Sequence, residues 1–163
     1  MKPATLRTII YLSAGIGLVL SVFAAIEIFN SSAQAICSFN PFISCSKVDN
    51  SGRTTTLGIA DWIWGVAGFA GTLVLVAVGE RTENRRVDWA LLLWITIGVA
   101  LSIYLAYVEL AVIGALCIVC FGTYIVNFAA WLAAIGLVRR RPESFAEDSP
   151  DPSYLDPDES VVL

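Results

Sequence analysis

The sequence predicts an all-α integral-membrane fold: a bundle of four transmembrane helices with a cysteine-bearing extracytoplasmic loop. Three observations carry this expectation. Of 163 residues, 57% are hydrophobic and only 15% are charged; soluble domains run at about 45–50% apolar and about 25% charged. The apolar residues fall in four runs, each close to the roughly 20 residues that cross a bilayer as a helix. Basic residues flank those runs on alternate ends, as expected of a chain threaded back and forth.

The first span runs from Thr8 to Phe29 and carries Glu27 near its end. The second runs from Ile59 to Gly79, with Asp61 near its start, and the third from Trp89 to about Ile113, with Glu109 near its end. The fourth, Leu116 to Val138, is uncharged. All three carboxylates stand at helix ends, where water or the interface is expected to solvate them. Trp62, Trp64 and Trp89 read as interfacial anchors. Ser13, Gly17, Ser21 and Ala25 recur every fourth residue in span one, and Gly98, Ser102 and Ala106 in span three. Small residues at that spacing let helices approach closely in lipid.

Lys2 and Arg7 precede span one, Arg81, Arg85 and Arg86 separate spans two and three, and Arg139, Arg140 and Arg141 follow span four. Only Lys47 and Arg53 fall on the other side. The positive-inside rule therefore places both termini in the cytoplasm, with the loop of residues 30–58 and the turn near Gly114 outside. Ala33-Gln34-Ala35 has the look of a signal-peptidase site, but the preceding apolar run exceeds the about 7–15 residues of a signal peptide's core. Residues 142–163 hold seven acids and no base: Glu143, Glu147, Asp148, Asp151, Asp156, Asp158 and Glu159. With four prolines in the same stretch, they read as a disordered, solvated cytoplasmic tail on a membrane domain of residues 1–141. The formal charge of -4 is thus the tail's; the remainder is net basic. Nothing resembles a nucleic-acid surface.

The chain has no histidine, and its single methionine is Met1. Histidine-dependent hydrolysis and histidine metal sites are excluded. Chemistry falls to four cysteines, Cys37, Cys45, Cys117 and Cys120, all on or near the outward, oxidising side. Cys117-Ile118-Val119-Cys120 stands where span four begins. Positions three apart share a helix face, and the unpaired N–H groups of a helix start stabilise negative charge. Tyr124 and Asn127 continue the same face, where a phenol and an amide in an apolar span need partners: a quinone oxygen or a neighbouring helix. The seven residues between Cys37 and Cys45, Asn40-Pro41 among them, are enough to close a small ring. Three readings follow: a redox relay between the pairs, two static structural disulfides, or a zinc site of four thiolates.

The same residues resemble the vitamin K epoxide reductase family in its short form, across about residues 8–138. The resemblance rests on Cys37-x7-Cys45, on Cys45-Ser46-Lys47-Val48 with Ser51, on Leu57-Gly58-Ile59 with Gly65, on Tyr104-Leu105-Ala106-Tyr107-Val108-Glu109-Leu110, and on Cys117-Ile118-Val119-Cys120 with Tyr124. It implies a four-helix bundle around a quinone, capped by the loop. Cys37 and Cys45 would take electrons from a thioredoxin-fold extracytoplasmic oxidase, Cys45 would exchange with Cys117, and Cys120 would stand nearest the quinone. Ser51 and Tyr124 match positions associated with the loop and the quinone pocket. Ala60 replaces a proline found in many bacterial members, and Gly58 is the nearest position to an asparagine that some animal members use.

The expected protein is a multi-pass thiol:quinone oxidoreductase of the cell membrane. Cys37, Cys45, Cys117 and Cys120 would be catalytic, Ser51, Tyr124 and Asn127 would bind quinone (ubiquinone or menaquinone), and no metal is expected. A vitamin K quinone or epoxide reductase is the enzymatic alternative. A non-catalytic tetraspan protein with structural disulfides is the alternative of another class.

Overall fold

The structure is a computed structural model, and it describes residues 3–30, 32, 37–52, 55–82 and 84–140. The acidic stretch 142–163, Ala33-Gln34-Ala35 and Arg53 lie outside the described residues. Four helices are long and apolar enough to cross a membrane: α1 (Pro3–Phe29), α3 (Asp61–Thr82), α4 (Arg85–Tyr107) and α5 (Ile118–Arg140). A short helix, α2 (Cys45–Asp49), and a hairpin of β1 (Thr55–Thr56) and β2 (Ile59–Ala60) lie between α1 and α3. The four-helix membrane bundle expected from the sequence is therefore present.

Helix α1 lies against both α5 and α3, and α4 closes the bundle against α3 and α5. The serine–glycine ladder makes this possible. Ser13, Gly17 and Ser21 are buried; the Phe69 ring of α3 packs directly on Gly17, and Ser21 Oγ would lie 2.6 Å from a Cβ at Gly65. The second ladder faces α5, where the Asn127 amide fills the space left at Gly98. A compact apolar core of Ile10, Val76, Leu91, Ile95 and Leu137 occupies one end of the bundle. At that end Arg7 and Asp88 form a buried ion pair at 3.6 Å. Outward faces such as Leu12, Ile16, Val19, Leu93 and Ile97 remain exposed, as a lipid-facing surface must.

Helices α1 and α4 begin at Pro3 and Arg85, ahead of the expected Thr8 and Trp89, and the boundaries near the loop also differ from the sequence expectation. Span two does not begin at Ile59. That residue and Ala60 pair with Thr56 and Thr55 across a two-residue turn, Leu57–Gly58, whose φ angles are both positive (56° and 78°). Asp61 then opens α3, its Oδ1 accepting from Thr56 Oγ1 at 2.6 Å. Span four begins at Ile118 rather than Leu116. The third span ends in a π turn, Val108–Ile113, stopped by Gly114 at φ 65°, a left-handed conformation that suits glycine.

Candidate functional site

The other end of the bundle gathers all four cysteines. Cys37 and Cys45 are joined as a disulfide with Cα atoms 5.8 Å apart, whereas Cys117 and Cys120 are free thiols. Two static disulfides are thus not the arrangement found. The small ring works because Asn40 builds its turn: Oδ1 accepts from the N–H groups of Phe42 (2.9 Å) and Ile43 (2.8 Å), a local bond that asparagine makes readily.

The ring is then tied to the start of α5. Leu116 N–H donates to Phe42 O at 2.7 Å, and Ser44 N–H donates to Leu116 O at 3.1 Å. Ser44 caps α2 by accepting from Lys47 N–H at 3.3 Å, and Lys47 Nζ reaches Gly114 O at 3.3 Å. The first three of these ties are backbone and capping bonds, so they fix position closely. They bring Cys45 Sγ to 3.1 Å from Cys117 Sγ. Both cysteines are enclosed (0% and 1% exposed), and they share one cluster with Cys37, Val48, Ala115 and Val119.

Cys117 precedes the helix and caps it. Its carbonyl accepts from Phe121 N–H at 2.9 Å, and its sulfur accepts from Cys120 N–H at 3.5 Å. The free N–H groups of the first turn are thereby aimed at sulfur. Glu109 supports the same turn from the π turn. Its Oε2 accepts from Cys117 N–H at 3.2 Å, and its Oε1 accepts from the Tyr124 hydroxyl at 2.8 Å. One carboxyl therefore holds both the cysteine cap and the phenol one helical turn beyond Cys120.

A cavity of about 260 Å³ opens between α1, α3, α4 and α5. Cys120, Tyr124 and Asn127 line it, with Trp62, Trp64 and Trp94 among its walls. Flat aromatic walls with a few convergent polar atoms suit a planar, lipid-soluble ring. A second, smaller cavity of about 60 Å³ lies next to it, and Cys120, Tyr124, Glu109, Asp49 and Asp61 line that one.

The stripe expected on α5 is divided by this geometry. Cys120, Tyr124 and Asn127 face the large cavity, while Cys117 turns to Cys45 and lines neither cavity. Asn127 does both things a polar residue in a span can do: it lines the cavity, and its Nδ2 donates to Ser102 Oγ of α4 at 3.1 Å. Ser51 follows α2, its N–H donating to Val48 O at 3.1 Å, and it is not among the residues lining either cavity.

Several sequence expectations are corrected here. Glu27 and Glu109 are not solvated interface carboxylates; they are 1% and 4% exposed, because loop and helix ends fold over them. Trp62 and Trp64, expected as interfacial anchors, also form cavity walls, and Trp64 Nε1 donates to Thr56 O at 3.1 Å. Trp89 is exposed, as an anchor should be. The sequence reading missed Glu109 as the organiser of the cysteine turn, although a charge eight residues before Cys117 in an apolar span was a usable signal. It also missed Ser102 and Trp94 as site residues. Glu27 comes within 4.8 Å of both loop sulfurs, a grouping that could hold a metal if both were thiolates, but here the sulfurs are bonded to each other.

No curated protein matches the chain. The sequence model of the vitamin K epoxide reductase family matches residues 8–135, and the chain belongs to that family. It is accordingly a membrane oxidoreductase of the disulfide and quinone kind.

Proposed function

We propose that this member of the vitamin K epoxide reductase family reoxidises a thioredoxin-fold oxidase outside the cytoplasm and passes the electrons to ubiquinone or menaquinone, so supporting disulfide formation. The observation that carries this reading is the 3.1 Å approach of Cys45 Sγ to Cys117 Sγ. It links a loop disulfide to a dithiol whose second member, Cys120, lines the large cavity.

The route conserves electrons and protons. A thiolate of the partner attacks Cys37, and the Cys37–Cys45 bond breaks. The partner's second thiol then resolves the mixed disulfide, leaving the partner oxidised and both loop cysteines reduced. Cys45 attacks Cys117 of an oxidised Cys117–Cys120 pair, Cys120 leaves with the electron pair, and Cys37 closes on Cys45 to release Cys117. A quinone bound in the cavity supplies the two-electron, two-proton acceptor. Trp62, Trp64 and Trp94 would flank its ring beside Cys120, and Tyr124 lines the same space with its hydroxyl held by Glu109. Asn127 contributes an amide at the wall, and Ser51 supports the loop rather than the cavity. Membrane domain 1–141 would carry all of this, with both termini and the acidic tail cytoplasmic and the cysteine end outside, as the basic flanks indicate.

The test is direct. The purified protein is mixed with a reduced thioredoxin-fold oxidase and a soluble quinone, and quinone absorbance is followed. Quinol should form catalytically and should cease with Cys120→Ser. Undiminished quinol formation by that variant overturns the assignment.

A further inference from the structure

Glu27 is a carboxyl in the last turns of α1, and the route above gives it no task. It is 1% exposed, and its Oε1 has no hydrogen-bond partner among the described residues. A buried polar atom left unpaired costs about 1–3 kcal/mol, so such an atom calls for an explanation. One of its carboxylate oxygens lies within 4.8 Å of the sulfurs of both Cys37 and Cys45. A disulfide has no proton to donate. The same two sulfurs as thiols have two, and the Glu27 carboxyl beside them can accept one. Among the loop sulfurs, a hydrogen-bond donor for Glu27 exists only in the reduced state of the pair.

We infer that Glu27 is the proton-exchanging group of the loop disulfide, a general acid when the pair is reduced and a general base when it is reoxidised. This inference rests on the proposed redox role of Cys37 and Cys45. Cys45 is the fully enclosed residue of the pair and its sulfur already faces Cys117, so the incoming thiolate attacks Cys37 and Cys45 leaves. As the S–S bond breaks, Cys45 departs with the electron pair and takes the proton of the Glu27 carboxyl. Cys37 leaves the mixed disulfide as a thiolate and takes its proton from water. When Cys45 later attacks Cys117, its proton returns to Glu27. The carboxyl ends the cycle as it began, and the electrons are those of the donor dithiol.

The surroundings suit the task. The groups facing Glu27 are Cys37 and Cys45 of the loop and Asp49 of α2, with Cys117 of the α5 cap in contact with Cys45. Among the described residues no ion pair holds Glu27. An enclosed carboxyl that no cation neutralises among the described residues exchanges its proton with its nearest neighbours, which here are sulfurs.

The experiment uses the full chain in lipid nanodiscs with Cys117→Ser and Cys120→Ser, so that only the loop pair reacts, in buffer containing EDTA. Dithiothreitol reduces the loop disulfide, and acid quench with alkylation gives the rate across pH. Glu27→Gln should slow reduction about a hundredfold, the lower end of what a positioned general acid contributes, and should flatten its pH profile. Glu27→Asp, which keeps the carboxyl, should recover most of the rate. A Glu27→Gln rate within about tenfold of the parent, with the same pH profile, overturns the inference. If that variant does not fold, the infrared difference between disulfide and dithiol forms of the parent decides, with glutamate carboxyls carbon-13 labelled. A protonated carboxyl band lost on reduction supports the role, and an unchanged carboxyl region overturns it. A parent whose loop disulfide resists reduction altogether would instead overturn the proposed function.

Discussion

Replacing Glu109 by leucine is the most informative change outside the cysteines. The carboxyl is 4% exposed and accepts two bonds, from Cys117 N–H at 3.2 Å and from the Tyr124 hydroxyl at 2.8 Å. Leucine fills similar space and accepts neither. Each bond contributes about 0.5–1.5 kcal/mol, and a buried N–H left alone costs about 1–3 kcal/mol. Glu109→Leu should therefore destabilise the protein by roughly 2–4 kcal/mol. At roughly 2–4 °C per kcal/mol for a chain of this size, Tm should fall by about 4–16 °C. Glu109→Gln behaves differently. Its Oε1 can still accept from Cys117, and its Nε2 can donate to the Tyr124 oxygen, so stability should stay within about 1 kcal/mol of the parent. Thermal unfolding in detergent, with and without Tyr124→Phe, gives the pairwise term. Glu109→Leu and Tyr124→Phe should be non-additive by about 0.5–1.5 kcal/mol, because the second change removes a bond already lost. Equal losses for the leucine and glutamine variants, or strict additivity with Tyr124→Phe, would refute the role of Glu109 as the shared anchor.

Further expectations follow from individual contacts. Gly17→Ala places a Cβ in the Phe69 ring, so it should destabilise by about 1–3 kcal/mol through overpacking. Phe69→Leu in the same chain should restore part of that loss in thermal unfolding. Leu57 holds φ 56° ahead of Gly58 at 78°; Leu57→Asn supplies the residue such a turn favours and should stabilise by about 0.5–1 kcal/mol. Burial raises Asp49 from its ordinary 3.8 to about 6. Its contribution to stability is then fully present below 3.8 and is lost as pH rises through about 6, because the unfolded chain ionises first. Asp49→Asn should remove that slope from a pH series of unfolding measurements.

Much of the architecture is legible in the chain. The four apolar runs needed no tertiary information, since a helix crossing lipid must satisfy its own backbone. The small-residue ladders are readable for the same reason: only a close neighbour explains Ser13, Gly17 and Ser21 on one face. What the sequence obscured lies where segments meet. Ile59 and Ala60 are apolar enough to extend span two, but pairing with Thr55 and Thr56 captures them. Leu116 looks like the start of span four, yet its backbone is taken by Phe42 and Ser44, which leaves Cys117 as a cap. Glu27 and Glu109 looked solvated because hydropathy treats each charge alone. Their surroundings are the loop pair in one case and Cys117 with Tyr124 in the other, all beyond the end of the element that carries the carboxyl. Of the expected site residues, the cysteines follow from spacing and Tyr124 from helical phase. Ser51 could be placed only by the path of the loop.

The central claim is that electrons cross between the pairs at Cys45 and Cys117. A chain carrying Cys37→Ser and Cys120→Ser keeps only those two cysteines, whose sulfurs lie 3.1 Å apart in the parent structure. Under mild oxidation in nanodiscs, peptide mass spectrometry should find a Cys45–Cys117 disulfide in nearly every molecule. A companion chain with Cys37→Ser and Cys117→Ser should leave Cys45 and Cys120 alkylatable. Recovery of Cys45 and Cys117 as free thiols after the same oxidation would contradict the relay.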